Sequence, residues 1–198
     1  MAWVDSNAFI IGNGTSRQYF DLNKLANHGT TYGCNALYRD FHPDHLISVD
    51  IKMIKEIYDS GYMKKNKVWC YYHKTLERMK NINFLSESLG WSSGPSALWL
   101  ASVHGYDNIY LIGFDFVGLN NGKLFNNIYA DTQNYKRSIQ PATYFRNWLS
   151  QTYAIIKHNQ HINYIRIIPE YGYEPNEFSD LKNYISMNYQ KFHKLFGF

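Results

Sequence analysis

Short polar turns that follow apolar segments are the parts of this sequence with the clearest capacity for chemistry. The first turn comprises Gly12, Asn13, Gly14, Thr15 and Ser16. Glycines let the backbone approach a phosphate closely, and the amides and hydroxyls that follow can donate to its oxygens. A tight turn after a strand is the alternative, because glycine and asparagine are common turn residues. The spacing matches neither the dinucleotide fingerprint nor a P-loop.

A second turn of this kind precedes an apolar segment, Ala97 to Val103, and contains Ser92, Ser93 and Gly94. Serine suits the N-cap of a helix, and the proline that follows is tolerated in the first helical turn. A helix start at this place can bind an anion, and a simple helix cap is the alternative. Two such turns in one chain favour a ligand more than either does alone.

Two carboxylates, Asp50 and Asp115, each follow an apolar segment. A carboxylate in this position can accept hydrogen bonds from ribose hydroxyls or base amino groups, or ligate a metal. The alternatives are a helix cap for Asp50 and a turn or core hydrogen bond for Asp115. No Asp-x-Asp pair ends a predicted strand, so a metal–diphosphate clamp is not indicated.

Histidines and cysteines give no metal or nucleophile signature. His42 and His45 form one H-x-x-H pair and His158 and His161 another, and no third ligand lies near either in the sequence. Two cysteines cannot build a disulfide scaffold, which favours a reducing, cytoplasmic compartment. We therefore expect no bound metal.

The elements that must position these residues alternate between strand and helix patterns. Strands are predicted at 8–11, 30–34, 45–49, 68–72, 108–112 and 162–168, and helices at 51–58, 97–103, 141–157 and 179–196. This alternation predicts an α/β fold with a mostly parallel sheet. Ligands of such sheets bind outside the carboxyl ends of strands, where Asn35 joins the residues already named.

The composition limits the class of protein. Hydrophobic residues make up 45% of the sequence and aromatic residues 18%, which excludes intrinsic disorder. The length of 198 residues predicts one domain over 1–198. No apolar run reaches about 18 residues, so no membrane span is expected, and the N-terminus has no signal-peptide pattern. The net charge of +4 favours anionic ligands weakly and makes nucleic acid an unlikely partner.

Four segments, taken in order, resemble the bacterial lipooligosaccharide sialyltransferases and the related archaeal hydroxymethylpterin pyrophosphokinase-like proteins. They are Ile10 to Ser16, Gly33 to Tyr38, Ser93-Gly94 opening an apolar helix, and Gly105 to Phe116. The last block is the most specific, and the resemblance spans about residues 8–168. It implies a Rossmann-like fold with helices on both faces of the sheet. It also implies a nucleotide donor, in the transferases a cytidine monophosphate sugar, used without a metal or other cofactor.

The resemblance also implies roles for individual residues. Gly12, Asn13 and Gly14 would approach the donor phosphate or ribose, and Asn35 would contact the phosphate or sugar. Asp50 occupies the place of an asparagine near the donor. The nucleotide pocket would be lined by Ser93 and Gly94.

One departure concerns the catalytic base. The transferases use a histidine between the Gly-x-Asp-Phe strand and the next helix, and residues 117–157 contain none. Tyr129 and Tyr135 are candidates to assist the leaving group, and aromatic packing is their alternative. Asp131 or His158 is a candidate base. We call residues 117–140 the lid segment; it contains Tyr129, Asp131 and Tyr135.

Three functions follow as hypotheses. The first is a glycosyltransferase-like enzyme that moves a sugar from a nucleotide donor to a hydroxyl acceptor. The second is a pyrophosphoryl transferase, which would require magnesium held by Asp50 and Asp115. The third is a noncatalytic protein that binds a nucleotide or nucleotide sugar. The oligomeric state stays open, and we expect the aromatic C-terminal helix at 179–196 to pack on its own domain.

Overall fold

A computed structural model of the chain describes residues 6–87 and 89–198. Eight parallel strands form one sheet in the order β5-β4-β3-β2-β1-β6-β7-β8. The strands are β1 Asn7–Ile11, β2 Thr30–Cys34, β3 His45–Ile47, β4 Val68–Cys70, β5 Ile82–Phe84, β6 Asn108–Ile112, β7 Asn163–Ile168 and β8 Tyr184–Asn188. The helices are α1 Ile51–Asp59, α2 Ser93–His104, the single turn α3 Leu119–Gly122, α4 Arg146–His158 and α5 Tyr189–Phe196.

Helices cover both faces of the sheet, and the central strand shows why. Phe9 and Ile11 of β1 pack in a cluster with side chains of α1 and α5. Ala8 and Ile10, which point the opposite way, pack in a second cluster with side chains of α2 and α4. A strand buried on both faces reads as a continuous apolar run, as β1 does. The α/β, Rossmann-like fold is confirmed, and the sheet is wholly parallel.

The strand order reverses between β1 and β6. From β1 the chain adds β2 to β5 on one side, and then returns to add β6, β7 and β8 on the other. The loops after β1 and β6 leave neighbouring strand ends, because these two strands are paired side by side in the sheet. This topological switch point is where ligands of open α/β sheets bind.

The C-terminal segment differs from the predicted single helix at 179–196. Tyr184–Asn188 forms the edge strand β8, paired with β7 from Tyr164 to Ile168. α5 begins only at Tyr189, where the side chain of Asn188 caps it by accepting from the Lys191 amide at 2.9 Å. Apolar spacing over five residues fits a strand or a helix, and pairing with β7 decides for the strand.

Other elements also differ from the sequence prediction. The helix predicted from Pro141 begins five residues later, at Arg146, because Pro141 pairs in an isolated bridge with Leu124. The strands predicted at 45–49 and 68–72 end at Ile47 and Cys70. Strand β5, Ile82–Phe84, was not predicted, because three residues are too few for a strand pattern. In the part of the chain that the structure describes, no helix has the length and apolarity that crossing a bilayer requires.

The lid segment folds back over the end of β1. Its backbone contacts that loop directly, since the Ile128 amide donates to the Asn13 carbonyl at 2.8 Å. Arg39, after β2, holds it from the other side by donating to the Thr132 hydroxyl at 2.8 Å and the Gln133 carbonyl at 3.0 Å. The segment is thus a packed part of the fold.

Candidate functional site

A cavity lies at the switch point. It contains about 780 Å³ of empty space, part of which is open to solvent. Its walls are formed by the turns after β1, β2 and β6 and by the start of α2. A part of the lid segment and the residues between that segment and α4 complete them. We call it the switch-point cavity; its walls are residues 12–14, 34–35, 92–95, 113–118, 125–127 and parts of 142–148.

The structure brings most of the predicted binding residues to this one cavity. Both polar turns contribute, although about 80 residues separate them in the chain. The predicted residues that line it are Gly12, Asn13, Gly14, Asn35, Ser92, Ser93, Gly94 and Asp115. Thr15 and Ser16 lie just behind the wall and bond to residues that form it.

Close contact between the β1 and β6 loops explains the glycines at this place. The Gly12 amide donates to the Ile112 carbonyl at 2.8 Å, and the Gly14 amide donates to the Gly113 carbonyl at 2.9 Å. A Cβ atom on Gly12 would lie 2.6 Å from the Gly113 carbonyl oxygen, and one on Gly14 would lie 2.4 Å from the Asp115 carboxyl carbon. Only glycine permits both approaches.

The next two amides of the β1 loop also have partners inside the protein. The Thr15 amide donates to Asn126 Oδ1 at 2.9 Å, and the Ser16 amide donates to Asp115 Oδ2 at 3.1 Å. The Ser16 hydroxyl donates to Asp115 as well. The expected cradle of free amides after β1 is therefore mostly not formed. The amides of Gly12, Gly14, Thr15 and Ser16 bond within the protein, and only that of Asn13 lacks an acceptor among the described residues.

Asn35 supplies a donor instead. Its backbone is left-handed, with φ 53°, which asparagine tolerates better than most residues. Its Oδ1 accepts from the Ser48 hydroxyl at 3.0 Å and from the Ser93 hydroxyl at 2.8 Å. The Ser93 hydroxyl in turn accepts from the Val49 amide at 3.1 Å. These bonds fix the side-chain orientation and leave Asn35 Nδ2 without a partner among the described residues.

The start of α2 adds further donors to the same wall. The side chain of its N-cap residue, Ser92, makes no capping bond, and among the described residues the amides of Ser93 and Gly94 have no acceptor. Pro95 has no amide hydrogen and needs none. A 12-residue helix that opens this way presents partial positive charge to the cavity.

Charge on the lining is sparse and negative. Asp115 is the only formally charged side chain among the lining residues, and no lysine, arginine or histidine is among them. Burial raises the pKa of the Cys34 thiol to about 12, against an opposing effect of the Arg17 charge, so this thiol is not a nucleophile. The remaining wall is aromatic, formed by Phe114, Phe116, Phe125, Phe145 and Trp148.

The two tyrosines predicted to assist catalysis lie outside the cavity lining. The Tyr129 hydroxyl accepts from Arg17 at 3.4 Å, and the Tyr135 hydroxyl accepts from Asn13 Nδ2 and from the Ala36 amide, each at 3.4 Å. Burial raises the pKa of both hydroxyls. Both side chains pack beneath the β1 loop, as the alternative of aromatic packing predicts.

The other predicted acidic and basic groups are also remote. Asp131 is exposed and accepts from the Ser138 amide at 3.2 Å, and His158 is exposed at the end of α4. Asp50 is exposed and caps α1 by accepting from the Lys52 amide at 2.8 Å. Asp50 and Asp115 therefore do not converge. In the described ranges, no three histidine, cysteine or acidic side chains group as metal ligands.

Sequence reasoning missed three residues that shape the cavity. Asn126 ties the β1 and β6 loops together, and Trp148 forms part of the aromatic wall. Arg17 is buried directly behind the lining. Only Arg17 had a signal in the sequence, because it directly follows the turn predicted to bind a ligand. Asn126 lies in a long polar stretch without periodicity, and Trp148 follows that stretch.

Comparison with protein-family models, curated proteins and solved structures finds no match to this chain. We therefore infer function from the cavity itself. It lies at the switch point, and its lining combines neutral donors, aromatic side chains and a single carboxylate.

Proposed function

We propose that the chain is a glycosyltransferase-like enzyme that binds a nucleoside monophosphate sugar in the switch-point cavity. The observation that carries this proposal is that Asn35 Nδ2 and the α2 amides, which have no acceptor among the described residues, lie in one cavity that aromatic side chains also line. Neutral donors and a helix N-terminus suit phosphate oxygens, and aromatic faces suit a base or sugar ring. A hydroxyl compound is the acceptor of the sugar.

The sparse charge of the lining favours a ligand with few negative charges. A nucleoside monophosphate sugar carries one phosphodiester charge, whereas a diphosphate ligand needs cations or a metal to neutralise it. No lysine, arginine or histidine lines the cavity. Because Asp50 lies outside it, the two carboxylates assumed for a magnesium-dependent pyrophosphoryl transfer do not meet. The monophosphate donor is therefore the better-supported ligand.

The residues of the cavity have separate roles in this reaction. Asn35 and the amides of Ser93 and Gly94 hold the phosphate oxygens, where negative charge develops as the bond to the anomeric carbon breaks. Asp115 accepts the proton of the acceptor hydroxyl, whose oxygen attacks that carbon while the nucleoside monophosphate leaves with the bonding electrons. Bonds from Ser16 and Asn126 hold the Asp115 carboxylate in one orientation.

The test of binding uses two variants of equal size to the native residues. Asn35→Asp replaces the donor with an acceptor in the cavity, whereas Asp50→Asn alters only the exposed cap of α1. In calorimetric titration with cytidine monophosphate, we expect at least about a ten-fold loss of affinity for the first variant and none for the second. Equal affinity of Asn35→Asp and the wild type would refute the proposed phosphate site.

A noncatalytic binding protein is the second candidate, and one observation favours it. Asp115 already receives three hydrogen bonds, and no histidine lines the cavity. Incubation with a cytidine monophosphate sugar separates the two functions. Release of free sugar that Asp115→Asn abolishes supports the enzyme, and binding without release supports the noncatalytic protein.

A further inference from the structure

Arg17 is a buried cation directly behind the lining of the switch-point cavity. Its side chain is 5% exposed. The Nε group donates to the Gly12 carbonyl at 2.6 Å, and Nη2 donates to Asn13 Oδ1 and to the Tyr129 hydroxyl, each at 3.4 Å. All of these acceptors are neutral, so the hydrogen bonds orient the guanidinium without cancelling its charge.

No carboxylate pairs with Arg17 among the described residues. The three ion pairs there join Arg39 to Glu56, Lys157 to Asp180 and Arg166 to Glu174, each within 4 Å. Arg166 is the informative comparison, because it is also buried, at 1% exposed, yet it has an acidic partner. Burying an unpaired charge costs stability.

The charge lies one residue layer from the cavity. Gly12 and Asn13, which Arg17 contacts, both form the wall, and a Cβ atom on Gly113 would lie 3.1 Å from Arg17 Cδ. The Arg17 charge also opposes the effect of burial on the pKa of Cys34, another wall residue. Its field therefore reaches the lining, while the side chain itself stays covered.

We propose that Arg17 is a positioning residue that supplies the fixed positive charge of the switch-point cavity and so selects phosphorylated ligands over neutral ones. It acts through the Gly12 carbonyl and the Asn13 side chain, which it orients, and through space on an anion in the cavity. A charge held in a poorly hydrated place acts on a nearby anion more strongly than the same charge in water. This inference rests on the proposed function, because it takes the ligand to carry a phosphate.

The test compares cytidine monophosphate with cytidine, which lacks the phosphate. Arg17→Gln removes the charge, Arg17→Lys retains it, and Arg78→Gln is the control, since Arg78 is exposed and lies outside the cavity lining. We expect the affinity ratio of the two ligands to fall about ten-fold in Arg17→Gln, with cytidine affinity unchanged. We expect Arg17→Lys to keep most of the ratio and Arg78→Gln to keep all of it.

A merely structural role for Arg17 would weaken both ligands together, and an unchanged ratio in Arg17→Gln overturns the inference alone. Failure of the wild type to bind cytidine monophosphate overturns the proposed function as well. Should the glutamine variant not fold, the wild type provides a second measurement. A buried charge is screened little, so the ratio should change less than about two-fold between roughly 0.05 and 0.5 M salt. A large fall of the affinity ratio at high salt would instead mean that exposed charges select the phosphorylated ligand.

Discussion

The side-chain amide of Asn126 is bonded to Asp115, with Nδ2 donating to the carboxylate at 3.0 Å. On its other side, Asn126 Oδ1 accepts from the Thr15 amide at 2.9 Å and from the Thr15 hydroxyl at 2.8 Å. A carboxylate only accepts and a backbone amide only donates, so one orientation of the asparagine satisfies both. Asn126 thereby joins the loops after β1 and β6 and orients the only carboxylate of the cavity lining.

Asn126→Asp should destabilise the protein by about 1–3 kcal/mol, because the donor to Asp115 is lost and a second negative charge faces it. The free energy of unfolding in urea measures this loss. Asn127→Asp is the matched control: it adds the same charge one residue away, and an aspartate there still accepts from the Tyr129 amide. Equal stability of both variants and the wild type would contradict the bridging role.

The convergence of the two polar turns could be predicted only in part. In a parallel sheet the carboxyl ends of all strands share one edge, so the turn after β1, Asn35 after β2 and the start of α2 were expected at that edge. That α2, which follows the edge strand β5, begins beside β1 could not be predicted. What the sequence could not show is which groups there are free. The amides of Thr15 and Ser16 are occupied by Asn126 and Asp115, which lie about 100 residues further along the chain.

The lid segment was the least predictable part of the site. Tyr129 and Tyr135 follow β6 in the chain, and this order predicts that they lie over the cavity. Their positions depend instead on long-range hydrogen bonds. Ile128 binds the Asn13 carbonyl, and Arg39 binds Thr132, and together these contacts turn the tyrosines beneath the β1 loop. No local pattern encodes such bonds, because the residues of this segment have neither helical nor strand periodicity.

Gly94→Ala should separate ligand binding from folding. A Cβ atom there would meet the Phe114 ring at 3.5 Å, an ordinary contact, so the apo protein should melt at the wild-type temperature or slightly above it. The added methyl group would lie in the cavity wall next to the α2 amides and narrow the space there, so the thermal shift caused by cytidine monophosphate should shrink markedly.

Gly14→Ala is the contrasting variant, because its Cβ atom would overlap the Asp115 carboxyl group. It should lower the melting temperature of the apo protein, in proportion to a loss of about 2 kcal/mol or more. If Gly94→Ala retained the full ligand-induced shift, the start of α2 would not form part of the binding site.

Stability should fall in mild acid because of His45. Burial, with smaller effects of His104 and Lys67, lowers the pKa of His45 to about 4. The unfolded chain, with a histidine pKa near 6.5, then binds more protons than the folded one between these values. The free energy of unfolding should therefore be fully present above about pH 6.5 and decline by roughly 2 kcal/mol towards pH 4.

His45→Gln tests the assignment, because glutamine can still accept from the Trp69 indole, which donates to His45 at 3.0 Å. Urea unfolding at several pH values should show a flatter curve for this variant between pH 6.5 and 4 than for the wild type. His161→Gln, which changes an exposed histidine, should leave the slope as it is. An equal slope in His45→Gln would mean that other groups cause the acid sensitivity.

Glu56 of α1 fastens the lid segment, and its removal should loosen that segment selectively. The carboxylate accepts from Tyr38 at 2.6 Å, from Arg39 at 2.6 and 2.9 Å, and from Asn134 at 2.7 Å. Burial alone would raise the pKa of Glu56, but these bonds hold it below its ordinary value. Their contribution is thus present above about pH 4.5 and declines as pH falls further.

Glu56→Gln should cost about 1–2 kcal/mol of unfolding free energy, since the pair with Arg39 is mostly shielded from water. Hydrogen exchange should rise in the lid segment more than in β1 or β6, because those strands keep their ladders. Asp180→Asn breaks the exposed pair with Lys157 and should cost much less than Glu56→Gln. A contact that fastens only the lid segment should reduce protection from exchange in that segment alone. Uniformly faster exchange across the sheet in Glu56→Gln would therefore show that Glu56 supports the whole fold.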